Sequence, residues 1–304
     1  MPCPLCSSTD HKLRHRVKEY AYLTCQSCGV SVLSPFPQPE EIKAWYADQT
    51  YFSLEDGNQG YTDYLSLESG LQRTFARRNK FLGSASFWKG KKILEIGCAL
   101  GFYPEVLRDI PDMEYTGLDL NTHAINVVRE KGFRGIQGDI ENIPEKNHYD
   151  ITVFFDVLEH IPDPFAFFAS IQQRMNTEGH ILFTTPSTKS FLAGISGKNW
   201  VSYIVPHHLL LYEPSSLKRL LAACGFNTIK IAPDIQWVPL SFLNERLSHL
   251  IGSLKGLTPH LIKMENAGRK ILVPVSNGQM LVRAKKNSEH PINSAATARR
   301  NFSC

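Results

Sequence analysis

The feature that most constrains this chain is the ten-residue stretch 92–101, Lys-Ile-Leu-Glu-Ile-Gly-Cys-Ala-Leu-Gly. Lys91 and Lys92 give way to Ile93, Leu94 and Ile96 and then to small residues, the pattern of a buried strand that enters a tight turn and leaves as a helix. Such a turn cradles a nucleotide-like ligand. A dinucleotide fingerprint would need glycine at 97, 99 and 102 so that a pyrophosphate could rest on the helix N-terminus, but position 99 is Ala and position 102 is Phe. Glu95 also sits in the turn, where a carboxylate suits an ammonium or sulfonium group better than a phosphate.

The pattern Glu95-x-Gly97-x-Ala99-x-Gly101 resembles the first motif of class I S-adenosylmethionine-dependent methyltransferases, with Ala99 in place of the usual middle glycine. The resemblance implies a Rossmann-like α/β domain with a seven-stranded, mainly parallel sheet whose last strand is antiparallel. From Lys91 the predicted strands and helices do alternate, as a doubly wound sheet requires. Asp119 lies near the tip of the second strand, followed by Leu120, where an acid can accept two charge-assisted hydrogen bonds from ribose hydroxyls. Its bland alternative is a capping role, since Asn121-Thr122 begins a helix. Gly138-Asp139-Ile140 matches the family's third motif, which would set Asp139 at the adenine amino group and Ile140 on the ring face. The expected cofactor contacts are therefore Glu95, Gly97, Cys98, Ala99, Gly101, Asp119, Leu120, Asp139 and Ile140, with Asp156 and Tyr61 added from flanking segments.

The fourth strand runs straight into Asp156-Val-Leu-Glu159-His160-Ile-Pro-Asp-Pro. Strand C-termini at the switch point of an open α/β sheet are where ligands bind, so three polar side chains there call for a chemical reading. The segment resembles the acidic-acidic-His set of quinone-biosynthetic O-methyltransferases, which implies a divalent metal at Asp156, Glu159 and His160. Bracing of the loop is the structural alternative. His160 is also a candidate general base, as are His207 and His208 in Pro206-His-His-Leu, because an imidazole titrates near ~6.5. The long loop 187–205 is the expected acceptor site. Residues 236–262 read as helical from the spacing of Leu240, Leu243, Leu247, Leu250, Ile251 and Leu254, with 240–254 as a core or homodimer face. Arg73, Arg77, Arg78 and Lys80 read most simply as a solvated helix face.

Cys3-Pro-Leu-Cys6 and Cys25-Gln-Ser-Cys28-Gly29 form two knuckles around a basic, hairpin-like stretch. Four thiolates close a tetrahedral zinc shell and leave no place for a water, so the expected role is structural; redox dithiols and iron are the alternatives. The expected organisation is a zinc-ribbon-like module at 1–34, a linker and helical cap at 35–90, the catalytic domain at 91–286 with a helical insertion at about 236–270, and a disordered tail at 287–304. Tyr61 and Tyr64 in the cap are candidates to touch cofactor or acceptor.

A net charge of +4 over 304 residues is too small to demand nucleic acid or an anionic membrane. No apolar run reaches the roughly 20 residues of a membrane span, and the expected location is cytoplasmic. Methyl transfer to a small molecule such as a sugar, a glycan precursor or a natural product follows as the expected function, O-methylation first. The alternatives are ribosomal RNA methylation, since some such enzymes begin with Cys-Pro-x-Cys, and a non-catalytic cofactor-binding scaffold.

Overall fold

A computed structural model describes residues 1–38, 40–42, 45, 67–146, 148–240, 271–287, 289 and 294–302. Its centre is β4 (Lys92–Ile96), in which Ile93, Leu94, Glu95 and Ile96 are all buried. A strand apolar on both faces belongs inside a parallel sheet covered on both sides, and β4 pairs in parallel with β5 (Glu114–Asp119) and β7 (Tyr149–Phe155). Parallel pairing continues outward to β6 (Arg134–Gln137) and to β8 (Met175–Pro186). Beyond β8 the order is closed by β13 (Gln279–Lys286) and β10 (Phe226–Pro233), with β13 antiparallel to both neighbours. The seven-stranded sheet with one reversed strand is the architecture expected.

Helices α1 (Glu68–Leu82), α2 (Thr122–Glu130), α3 (Pro164–Gln173), α4 (Phe191–Ser196), α5 (Pro214–Ala223) and α6 (Ala295–Phe302) accompany the strands. Local chemistry sets their starts. Asn121 accepts from Ala124 N–H and caps α2, while Asp163 accepts from Phe165 and Ala166 N–H ahead of Pro164 in α3. After the turn that follows β4, the chain makes only the 3₁₀ turn Pro104–Leu107 instead of the full helix a strand–turn–helix pattern predicts.

The cysteine-bearing module is built into the catalytic domain. Strands β1 (His11–Val17), β2 (Tyr20–Cys25) and β3 (Ser31–Ser34) form an antiparallel meander, and its fourth strand is β9 (Leu210–Leu211), supplied from beyond β8. Leu33 N–H donates to Leu209 O at 2.9 Å. Tyr22, Val32 and Leu33 share one buried apolar cluster with Phe154, Phe183 and Tyr212, so the core runs through the expected boundary near residue 34.

Three expectations change on contact with the structure. The C-terminal tail is not wholly disordered: α6 buries Ala298 and Phe302, Arg299 pairs with Asp163 at 2.7 Å and donates to Pro4 O at 2.8 Å, and Phe302 lies edge-on to Phe165. A short apolar pair hidden among polar residues anchors it. Residues 236–239 are not helical but form β11 (Gln236–Pro239), paired with β12 (Leu272–Val275); most of the expected 236–270 insertion, including nearly all of the 240–254 face, lies outside the described residues. Arg78 does not belong to a solvated face. It occupies the inward stripe 71-75-78-82 of α1, is 1% exposed, and pairs with the fully buried Asp234 at 2.7 Å. The neighbouring cations are also engaged: Arg73 stacks on Trp237 and Arg77 lies 3.7 Å from Asp234.

Two outcomes follow. Asp234→Asn strands the Arg78 guanidinium in the interior, and denaturant unfolding should show a loss of about 3–5 kcal/mol; a loss below about 1 kcal/mol would contradict this role. Ala99 adopts φ +45°, a left-handed conformation that costs a non-glycine residue about 1–2 kcal/mol. Ala99→Gly should raise stability by about 1 kcal/mol, read as a higher midpoint in the same titration.

Candidate functional site

The C-terminal ends of β4, β5 and β7 open onto a cavity of about 490 Å³, within the usual range of about 300–1,000 Å³ for small-molecule sites. The turn after β4 forms one wall. Gly97, Ala99 and Gly101 all have positive φ, and a β-carbon on Gly97 would come within 2.8 Å of Val157 Cγ2, so glycine is required there by both backbone and space. The turn is pinned from β5: Gly97 and Cys98 N–H donate to Leu118 O, and Ala99 N–H donates to Asp119 Oδ2 at 2.9 Å.

Glu95, Gly97, Cys98, Ala99, Asp119, Leu120, Asp139, Ile140 and Asp156 all line this one cavity. Gly101 stands behind it, against Val128, and Tyr61 and Tyr64 lie outside the described residues. Asp119 is not the helix cap, a role taken by Asn121, whose own N–H is received by Asp119 Oδ1 at 2.9 Å. Asp139 instead does cap, accepting from Glu141 N–H at 3.0 Å while its own N–H donates to Asn142 Oδ1. Gly138 precedes it at φ +134°, where a β-carbon would collide with the Asn142 side chain.

The cavity carries buried carboxylates. Burial drives Glu95 well above the ordinary range, against the hydrogen bond donated by Tyr115 OH. Burial likewise raises Asp119, opposed by the N–H groups of Asn121 and Ala99. Asp156, at φ +58°, is raised by burial and drawn back by Arg78 and by the Thr184 hydroxyl, which donates to Oδ1 at 3.0 Å. A cationic ligand would relieve the cost of ionising such a set.

Of the three histidines proposed as bases, His160 alone lines the cavity. Its Nδ1 is 3.0 Å from His207 O, a geometry that makes Nδ1 the donor and turns Nε2 into the basic position. Burial is the main force lowering its pKa, to about 4. His208 is fully buried behind it, ring centroids 4.7 Å apart, with Nδ1 2.8 Å from Ser202 O. His207 packs edge-on to Trp45, and its Nδ1 has no hydrogen-bond partner among the described residues. Neither is placed to meet an acceptor in this cavity.

The metal set also changes. Ligand atoms of Glu159, His160 and His208 lie within 4.8 Å of one another; Asp156 is not part of that group, being turned to Thr184. Glu159 accepts from Thr185 through Oε2 at 3.0 Å, and its buried Oε1 has no partner among the described residues. The loop 187–205 contributes nothing to the described cavity wall. It packs on the cysteine module instead, with Arg14 donating to Thr188 O at 2.7 Å and to Tyr203 OH at 3.0 Å. Arg78, Gln236 and the apolar side chains of Leu71 and Phe75 line the cavity unforeseen; a cation inside an apolar stripe was the available signal for Arg78.

The four cysteines of the module converge. Cys3 Sγ lies 3.6 Å from Cys28 Sγ and Cys6 Sγ 3.5 Å from Cys25 Sγ. These gaps are far longer than a disulfide bond of about 2.05 Å and close to the S···S edge of about 3.8 Å of a tetrahedron with Zn–S near 2.3 Å. The Cys28 thiol, hydrogen-bonded to Cys3, pulls Cys3 down to about 5.

Comparison with known proteins agrees with this geometry. Residues 67–231, more than half of the chain, match the family model described as a methyltransferase domain. The ubiquinone biosynthesis O-methyltransferase of Aliivibrio fischeri is 30% identical over 159 residues, covering 48% of this chain and 68% of that protein. Its counterpart in Vibrio cholerae is 31% identical over 159 residues, covering 48% and 64%. The chain thus spans about two thirds of the length of these relatives. Among solved structures, a mycolic acid cyclopropane synthase with bound SAH shares the fold at TM-score 0.52 and 16% identity, covering 83% of this chain and 99% of that one. The phosphoethanolamine N-methyltransferase 2 of Haemonchus contortus does so at TM-score 0.53 and 15% identity, covering 80% and 60%. Sheet order, glycine turn and matched residues together lead to one assignment: the chain belongs to the methyltransferase-domain family and is an S-adenosylmethionine-dependent methyltransferase.

Proposed function

We propose that the chain methylates a hydroxyl group of a small molecule, with His160 as the base. The observation that carries this reading is the position of His160, the one histidine among the described residues that lines a cavity whose other walls are the glycine turn, Asp119 and Asp139. The residues fit the donor. Glu95 is a buried carboxylate and Asp119 a half-buried one, and a cation would relieve the cost of ionising both; Asp119 has acceptor capacity left for ribose hydroxyls beyond its backbone bonds, and Leu120 and Ile140 offer apolar contact for a base. S-Adenosylmethionine supplies a methyl group already activated on a sulfonium.

The chain's own tasks are then to align, to exclude water and to take one proton. Leu71, Phe75 and Phe155 keep the wall near Arg78 apolar. His160, neutral because burial disfavours its charge, can receive the hydroxyl proton at Nε2 while Nδ1 stays on His207 O. The relatives named for ubiquinone biosynthesis add support for oxygen as the acceptor atom. The cysteine cluster is read as a structural zinc site that fixes the module against β9.

A second reading has its own observation, the buried Oε1 of Glu159, which has no partner among the described residues and lies beside His160 and His208. With a divalent cation there, His160 serves as ligand instead of base. Metal analysis separates the two readings: one zinc per chain, lost in Cys3→Ser/Cys6→Ser, supports the base, whereas a second equivalent lost in Glu159→Gln supports the ligand.

Calorimetry with S-adenosylmethionine should show Asp119→Ala weakening affinity at least tenfold, the worth of about 1.5–3 kcal/mol of charge-assisted hydrogen bonding. His160→Gln should leave that affinity within about twofold and lower kcat by about 10²-fold or more. The acidic limb of kcat should fall near pH 4, where His160 protonates, instead of near the ordinary ~6.5. Activity is retained above that limb, since the neutral imidazole is the working form. An unchanged kcat in His160→Gln would remove the base.

A further inference from the structure

Large apolar side chains on a soluble domain are normally scattered when exposed. Here four of the eight that are exposed among the described residues fall within the short stretch 191–204: Phe191 at 80%, Ile195 at 64%, Val201 at 53% and Ile204 at 41%. Phe191 and Ile195 are one turn apart on α4 and share a face. In the following segment Trp200 and Tyr203 turn inward at 2% and 8% while Val201 and Ile204 turn out, so the segment is a ridge fastened from beneath. A fifth, Leu13 at 49%, sits on β1, the strand fastened to this segment through Arg14.

The charge on these two segments has one sign. Residues 11–18 and 187–205 contain Lys12, Arg14, Arg16, Lys18, Lys189 and Lys198 and no Asp or Glu. Lys12, Arg16, Lys18 and Lys198 are exposed, and Lys189 reaches Glu213 from the neighbouring helix at 3.5 Å with its side chain 65% exposed. Exposed Phe and Ile flanked in sequence by Lys189 and Lys198, on a segment fastened to a basic strand, is the composition of a surface that lies in a bilayer interface. Anionic headgroups attract the adjacent cations, and the apolar tips insert between them. No described helix is long and apolar enough to cross a membrane, so the contact is peripheral.

We propose that the α4 ridge and the basic β1 edge form a docking surface for an anionic lipid bilayer. The site is separate from the catalytic cavity, and the proposal stands or falls independently of the acceptor's identity.

The test is co-sedimentation of the full chain with vesicles of phosphatidylcholine alone and of phosphatidylcholine mixed with phosphatidylglycerol. The expected result is binding to the mixed vesicles that weakens as salt rises, with at least tenfold less binding in Phe191→Ser/Ile195→Ser and in Lys12→Glu/Lys198→Glu. Both sets of substitutions are on exposed side chains, and unchanged thermal unfolding shows that they fold. Failure to bind the mixed vesicles at low salt overturns the proposal. So does binding unaffected by Phe191→Ser/Ile195→Ser, or a dimer in light scattering that this double variant converts to monomer, which would make the ridge a protein interface.

Discussion

The arrangement rests on one carboxylate. Asp119 holds the turn after β4 from the tip of β5, accepting from Ala99 N–H on one oxygen and from Asn121 N–H on the other. Gly97 and Cys98 N–H are held by the Leu118 carbonyl and Gly101 N–H by Cys98 O, which leaves Ala99 N–H, at the non-glycine left-handed position, to Asp119. A charged acceptor in a buried position makes the stronger kind of hydrogen bond, and the same group faces the cavity. The structural role and the proposed binding role therefore coincide in a single side chain, and the strain carried at Ala99 and Asp156 lies beside the cavity, where a scaffold this well packed can hold it.

The cysteine module reaches the histidine pair of His160 and His208 through backbone. Tyr22 OH donates to His208 O at 2.8 Å and Leu33 N–H to Leu209 O, while Leu209 N–H donates to Glu159 O. One short path thus joins the meander, the histidine pair and the loop after β7. Gly29, beside the second knuckle at φ +81°, leaves no room for a β-carbon against Glu213, the residue that opens α5. The module braces the site from behind His160, which accounts for a small sheet that would have little core of its own.

Much of this was legible in the chain. Local pattern sufficed where one physical cause acts over a few residues: the apolar run into small residues at 92–101, the acid at a strand tip, the paired knuckles. It failed where the cause is distant. Arg78 is buried because Asp234, 156 residues away, meets it; α6 is ordered because Phe302 finds Phe165 and Arg299 finds Asp163; and residues 236–239 are a strand because a partner stands at 272–275. The length of the loop at 187–205 predicts a part of the site, but Trp200 and Tyr203 commit it to the cysteine module instead. His208 was singled out for its neighbours in sequence, and burial rather than exposure decides its place behind His160.

The central claim is that the cavity walled by the glycine turn, Asp119 and Asp139 is where the methyl donor sits. A crystal structure of the chain with S-adenosylhomocysteine tests it most directly. The account predicts the ribose against Asp119, the adenine between Leu120 and Ile140, and the sulfur directed toward His160. The nucleoside bound elsewhere, or this cavity filled by side chains in the complex, would contradict it.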